Sequence, residues 1–418
     1  MSIKYRLTIM SFLQFFVWGS WLITIGNYWF GTKGWSGLEF GAIFSTLGIS
    51  SILMPAVTGI LADKYINAEK LYGVLHILGG IALLFLPAAD NPPTFYFIIF
   101  AAMLCYMPTI SLSNSVAYNI LKNNSFDVIK VFPPIRVWGT IGFIAAMWIT
   151  NLSGNKASGN MFIIAAVTAI FLGIYSFTLP KCPPQKLISE NATLTQKLGL
   201  DAFKLFLDYK MALFFIFSMF LGAALQLTNM YGDVFLSEFG KNPDYANSFV
   251  VTKSTLIMSI SQFSETAFIL AIPFFLKRFG IKQVMLISML AWVLRFGLFA
   301  FSDPSVPGTI MIILSCIVYG MAFDFFNISG SLFIETTTDS KIRSSAQGLF
   351  MMMSNGFGAF FGGLVSGKII DTYFTTNDVR DWHNIWLTFA GYSLLIAIAF
   401  AVLFKHQHNP DELQKVSQ

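Results

Sequence analysis

The 418-residue sequence predicts an all-α membrane protein of twelve spanning helices, arranged as two pseudo-symmetric six-helix bundles. Three observations predict it. Only 11% of residues are charged and 55% are hydrophobic, whereas a soluble domain carries about 25% charged residues; the deficit points to lipid as the surrounding medium. Segments free of Asp, Glu, Lys and Arg recur along the chain, each long enough for the roughly 20 residues that a spanning helix needs. A polar stretch lies midway, and short strings repeat on either side of it.

The charge-free segments run 7–32, 41–62, 71–89, 91–121, 137–155, 157–180, 211–232, 344–367 and 382–404. Three more carry one charge each: 254–276 with Glu265, 283–302 with Arg295, and 304–334 with Asp324. The first segment reads as a spanning helix and not a signal peptide, because its apolar run is too long and no small-residue cleavage site follows. With the N-terminus placed in the cytoplasm, 18 of the 26 basic residues fall inside and five outside; Arg136, Lys253 and Arg295 lie in or at the edges of spans. That bias follows the positive-inside rule and puts both termini in the cytoplasm. It also accounts for the net charge of +5 without a nucleic-acid partner. Cys105, Cys182 and Cys316 show neither a pairing pattern nor metal spacing and read as small apolar fillers.

The longest cytoplasmic connection, 181–207, begins KCPPQKLISENATLTQKLGLDAF and falls between spans six and seven. It divides the chain into bundles 1–180 and 208–406, with 407–418 as a cytoplasmic tail. IRVWGTIGF (135–143) in the fifth span is echoed by IRSSAQGLF (342–350) in the eleventh, and VWGSWL (17–22) in the first by LGAAL (221–225) in the seventh, which aligns Gly19 with Gly222. Parallel six-helix repeats with a substrate site between them are a transporter architecture. In the eleventh span, GFGAFFGGLVSG (356–367) holds Gly358-x-x-x-Gly362 and Gly363-x-x-x-Gly367, a spacing that permits close helix approach.

The loop GILADKYINAEK (59–70) resembles the signature of the major facilitator superfamily at Gly59, Leu61, Asp63 and Lys64. Its usual Gly-Arg-Lys continuation is replaced by Asn67, Ala68 and Glu69, with Lys70 retained. The resemblance implies a cytoplasmic latch in which Asp63 and Lys64 help to hold the inner gate; a plain charged turn is the simpler alternative.

Ionisable groups inside a membrane are functional candidates by default. Four stand out: Arg136, Glu265, Arg295 and Asp324, whose charges cancel. Gln262 and Glu265 in SISQFSET are three residues apart and share a helical face, as do Gln226 and Asn229 in LQLTN. Tyr319 and Phe323 in YGMAFDFFN are four apart with Asp324 adjacent; Arg136 and Thr140 in PPIRVWGTIGF are four apart, and Phe143 continues the stripe. Facing inward, these groups suit a ligand with a planar hydrogen-bonding base and a polyhydroxyl part: amides match a base edge, and aromatic faces sandwich a flat ring. Amides in spans also serve simply to hydrogen-bond neighbouring helices. Arg295 has no polar partner at helical spacing and reads as a structural counter-ion for Asp324 or Glu265. Arg136 lies near the cytoplasmic surface if the fifth helix starts at Pro133, and about two turns deeper if it starts near Asp127 with Ser125 as cap; the second is preferred.

Five strings carry a more specific resemblance: MSFLQFFVWGSWL (10–22), FPPIRVWGTIGF (132–143), FFIFSMFLGAALQLTNMYG (214–232), SISQFSETAFILAIPFFLKRFGIK (259–282) and VYGMAFDFFNISGS (318–331). They closely resemble bacterial nucleoside permeases of the nucleoside–proton symporter family, a branch of the major facilitator superfamily that includes xanthosine permeases. The resemblance implies the major facilitator fold and proton-coupled nucleoside uptake across the bacterial inner membrane. It carries substrate contacts over to Arg136, Thr140, Phe143, Gln226, Asn229, Gln262, Glu265, Tyr319 and Phe323. Where family members read GAELQ this chain reads GAALQ, with Ala224; that bears on fine specificity, not class.

A buried carboxylate favours its neutral form, which makes Asp324 a usable proton site; Glu265 is the competing candidate. The transporter is expected to act as a monomer in the bilayer, with the proton gradient as energy source and no cofactor or metal. The alternatives are a xanthosine-selective permease, a proton-driven drug antiporter, which the amide-rich inventory suits poorly, and a non-transporting sensor. Enzymatic activity has no nucleophile–base pair or metal cluster to rest on; His76, His383, His406 and His408 lie toward span ends or the tail.

Overall fold

Every expected span falls on a helix of the computed structural model, which describes residues 2–184, 200–339, 342–377 and 379–406. The helices are α1 (Ile3–Gly19), α2 (Gly37–Lys64), α3 (Ala68–Phe85), α4 (Pro92–Asn123), α5 (Val128–Leu152) and α6 (Asn160–Ser176), then α7 (Tyr209–Glu238), α8 (Ser254–Ala300), α9 (Val306–Thr337), α10 (Arg343–Met351), α11 (Ala359–Tyr373) and α12 (Trp382–Leu403). Among the described residues nine helical segments are long and apolar enough to cross a membrane. One of them, α8, holds two expected spans and turns between them at Gly280, whose φ of 77° only glycine adopts readily. Two expected spans appear as 17-residue helices, α1 and α6. The first continues past Gly19 through turns into a π-helix at Asn27–Thr32, and the eleventh is α10 and α11 joined by a π-helix at Met352–Gly358.

The helix starts are capped as their sequences dictate. Ser36, Asn91, Asp208, Ser305 and Asp381 each accept a backbone N–H at the head of α2, α4, α7, α9 and α12, satisfying donors that a helix leaves free. Asn384 donates from both side chain and backbone to Asp381 and holds that carboxyl below its usual range. The cap of α5 is Asp127, which accepts from Lys130 N, and not Ser125, which takes φ 59° in the preceding turn. The carboxylate reaches the N3 amide that Ser125 is too far back to meet.

The chain divides into two compact units, Met1–Leu198 and Gly199–Gln418. In the first, α1 packs on α5 at two glycines: a Cβ on Gly142 would lie 2.1 Å from Phe12 O, and one on Gly19 within 2.9 Å of Phe143 Cα. The core joins Leu7, Met10, Tyr72, Val116 and Leu172. In the second, α7 packs on the eleventh span at Gly222, where a Cβ would lie 1.9 Å from Ser354 O, and at Gly358 and Gly362, which face Met219 and Ala223. The expected Gly-x-x-x-Gly is therefore a packing surface, and in each unit the first and fifth spans of the repeat close at a glycine. Phe214, Phe326, Phe333 and Phe350 form an aromatic core there. A short hairpin, β1 (Thr375–Thr376) and β2 (Val379–Arg380), interrupts the helical pattern. Arg380 and Trp382 bind Glu238 at the end of α7, at 2.5 and 2.7 Å. Leu270, Leu395 and Phe97 are among many exposed apolar side chains, as a lipid-facing surface requires.

The loop 59–70 shows why its continuation departs from the superfamily signature. Glu69 is 2% exposed and its Oε2 accepts Cys182 N at 2.8 Å, while Ala68 N donates to Cys182 O at 3.0 Å. The acidic residue thus fastens the chain after α6 to the head of α3. Lys64 ends α2; the side chain of Asp63, and residues 185–199 and 407–418 of the linker and tail, lie outside what the structure describes.

Candidate functional site

In the second unit the sequence-selected groups of α8 and α9 come together because Gly320 lets the two helices touch. A Cβ on Gly320 would lie 2.6 Å from Ser264 C and 2.7 Å from Glu265 N, and Ser264 Oγ donates to Ile317 O. This contact brings Glu265 within electrostatic range of Tyr319 and Asp324. Tyr319 and Phe323, one helical turn apart, stack at 6.1 Å with 17° between their planes, and Trp292 meets Tyr319 edge-on at 6.0 Å. Asp324 is 2% exposed, and among the described residues its Oδ2 has no hydrogen-bond partner. The same is true of Gln226 Oε1 and Gln262 Oε1. Buried polar atoms are nearly always paired, so these three unpaired acceptors, one on each of three helices of the unit, are candidates to receive donors.

Arg295 is fully buried and organises this region differently from the expectation. Its Nε donates to Thr228 Oγ1 at 3.3 Å and its Nη1 to Ser315 O at 2.6 Å. Its guanidinium carbon lies 4.8 Å from the centre of the Tyr319 ring and 5.1 Å from that of Phe299. Among the described residues it forms no ion pair with Asp324 or Glu265. It is a cross-link and not a counter-ion: a flat, multiply donating cation held by a carbonyl, a hydroxyl and two π-faces, with Nη2 left unpaired among the described residues. Because Thr228 lies between Gln226 and Asn229, the cross-link ties the α7 amides to the Tyr319 ring. Arg295→Lys keeps the charge but not the fork. It is expected to cost roughly 1–3 kcal/mol of stability and to raise KM for substrate, read by thermal melting and uptake kinetics.

In the first unit Arg136 is the ninth residue of α5, about two turns past the start at Val128, with Pro133 and Pro134 inside the helix. The helix thus starts where the second of the two expectations puts it, near Asp127. The guanidinium lies over Phe15, 4.0 Å from the ring centre, in space that Gly139 leaves open: a Cβ there would lie 2.7 Å from Arg136 Nη1. Its counterpart in the repeat, Arg343, instead pairs with Glu335 at 2.7 Å. Thr140 is half-buried one turn on, and Phe143 meets Trp18 edge-on at 6.5 Å.

Two buried groups escaped the sequence reading. Gln14 is fully buried; its Nε2 donates to Thr109 at 3.0 Å, Tyr72 Oη donates to its Oε1 at 2.6 Å, and Tyr106 Oη donates to its carbonyl at 2.7 Å. Tyr106 in turn packs on Trp18, beside Phe143. Asp233, also fully buried, accepts from Thr255 Oγ1 at 3.2 Å; it lies one residue beyond the end assigned to the seventh span.

The sequence profile of the nucleoside H+ symporter family matches residues 1–409. The chain belongs to this family. It is 51% identical over 408 residues to the nucleoside permease NupG of Escherichia coli (strain K12), covering 98% of this chain and 97% of that one. It is 49% identical over 414 residues to the xanthosine permease of the same organism, covering 99% of each. The crystal structure of nucleoside transporter NupG superposes with a TM-score of 0.91 at 51% identity, over 97% of this chain and 100% of that one. A D-xylose–proton symporter superposes with a TM-score of 0.71 at 14% identity, over 97% and 98%, a likeness of fold alone. The chain is thus a multi-pass member of a transporter family, with the major facilitator fold, and not an enzyme.

Proposed function

We propose that the chain carries out proton-coupled uptake of purine or pyrimidine ribonucleosides across the bacterial inner membrane, by alternating access of bundles 1–180 and 208–406. It acts as a monomer with both termini cytoplasmic. Gln226, Asn229, Gln262 and Glu265 bind the base edge and ribose hydroxyls, and Tyr319 and Phe323 flank the base. Arg136, Thr140 and Phe143 add contacts from the first bundle, Arg295 holds Tyr319 in place, and Asp63 and Lys64 serve the gate. Asp324 carries the proton, with Glu265 as its neighbour and the competing carrier.

The observation that supports this reading most is Asp324 itself. In a member of the nucleoside H+ symporter family, a buried carboxyl with an unpaired oxygen lies within electrostatic range of a second carboxyl, Glu265. A charge there is expensive, and the protonated acid carries none, so proton gain and loss change which arrangement of the helices is favoured. The identity to the xanthosine permease favours a second reading, xanthosine selectivity within the same mechanism. Labelled uridine uptake into cells lacking their own nucleoside permeases tests the proposal. Accumulation that a protonophore abolishes is expected; uptake indifferent to the protonophore, or dye resistance without uptake, contradicts it. Competition by unlabelled xanthosine against other nucleosides separates the two selectivities.

A further inference from the structure

A small cleft opens within the second unit, lined by α7, α8, α9 and the π-helix Met352–Gly358. Its floor is aromatic, with Phe323, Trp292, Phe326 and Phe350, and its polar lining includes Asn327 and Asn355. Asn327 continues the stripe of Tyr319 and Phe323 by four residues, so it lies about 6 Å farther along α9 than Phe323. Its side-chain amide makes no hydrogen bond to any described residue. Asn355 sits on the π-helix Met352–Gly358, an irregularity that recurs at functional sites. Its Nδ2 reaches only the weak acceptor Met351 Sδ, at 3.8 Å. Ser354, by contrast, spends its hydroxyl on Phe350 O of its own helix, at 2.9 Å.

We infer that Asn327 and Asn355 are substrate contacts, gripping the ribose hydroxyls of a nucleoside whose base lies against Phe323. The inference rests on the proposed function. The flat apolar floor matches a base, and each amide offers one donor group and one acceptor, as a hydroxyl requires. The step of one helical turn from Phe323 to Asn327 matches the offset of sugar from base. Nothing in the family resemblance carried a role to either residue.

The test compares uridine with 2′,3′-dideoxyuridine, binding each to purified wild-type protein and to Asn327→Leu and Asn355→Leu. Each variant is expected to bind uridine roughly fivefold more weakly while holding dideoxyuridine as the wild type does. Equal weakening of both ligands, or weakening of neither, overturns the inference while the wild type still binds uridine. A wild type that binds no nucleoside overturns the functional reading with it. If a leucine variant does not fold, Asn327→Ser and Asn355→Ser carry the same comparison, since serine keeps polarity but falls short of the hydroxyls.

Discussion

Asp324→Asn is expected to abolish uphill uptake while leaving nucleoside binding and exchange intact. The amide is nearly the shape of the acid and adds a donor, but it cannot gain or lose a proton. The wild type can couple entry to the membrane potential, which supplies about 2.3 kcal/mol per charge per 100 mV. For one proton per nucleoside this corresponds to roughly 50-fold accumulation. The variant is expected to bring the internal concentration only to the external one. Labelled uridine accumulation in energised cells, set beside counterflow into preloaded vesicles, measures both halves of the claim. Retained proton-dependent accumulation moves the role to Glu265, the carboxyl beside Asp324; loss of counterflow as well assigns Asp324 to binding.

Gly222→Ala is expected to cost about 3 kcal/mol or more, at the upper end of what overpacking does. The added Cβ would lie 1.9 Å from Ser354 O and 2.6 Å from Ser354 C. These are backbone atoms held in a helix, so no rotamer change relieves the clash, and α7 must separate from the eleventh span. Gly297→Ala is the matched control: nothing lies within 4 Å of its Cβ position, and the change gains about 0.5–1 kcal/mol of helix stability. Melting temperatures of the detergent-solubilised proteins are expected to move in opposite directions. A Gly222→Ala protein as stable as the wild type contradicts the close approach.

Much of this was legible in the sequence, because scarcity of charge and the roughly 20-residue span length are global signals. The spacings of Gln262–Glu265 and Tyr319–Phe323 single out residues on two helices, α8 and α9, that one glycine, Gly320, lets touch. What the sequence concealed depended on partners far along the chain. Gln14 sits alone in an aromatic run, and only the fold places Thr109, Tyr72 and Tyr106 around it. Arg295 has an obvious charge complement in Asp324, yet its donors find Thr228 and the Ser315 carbonyl. Asp233 looks like the polar end of a span, and only the fold brings Thr255 to it. Asn327 shares the helical register of Phe323, but nothing in the sequence separates it from an amide that merely bonds a neighbouring helix. The π-helix that carries Asn355 leaves no pattern in composition.

The measurement that tests the account most directly is proton flux in proteoliposomes loaded with a pH-sensitive dye. Adding uridine outside is expected to acidify the lumen with the wild-type protein and to leave the lumen unchanged with Asp324→Asn, although that variant still exchanges uridine. Uridine entry without acidification in the wild type, or acidification that survives in Asp324→Asn, contradicts the assignment of proton coupling to this buried carboxyl.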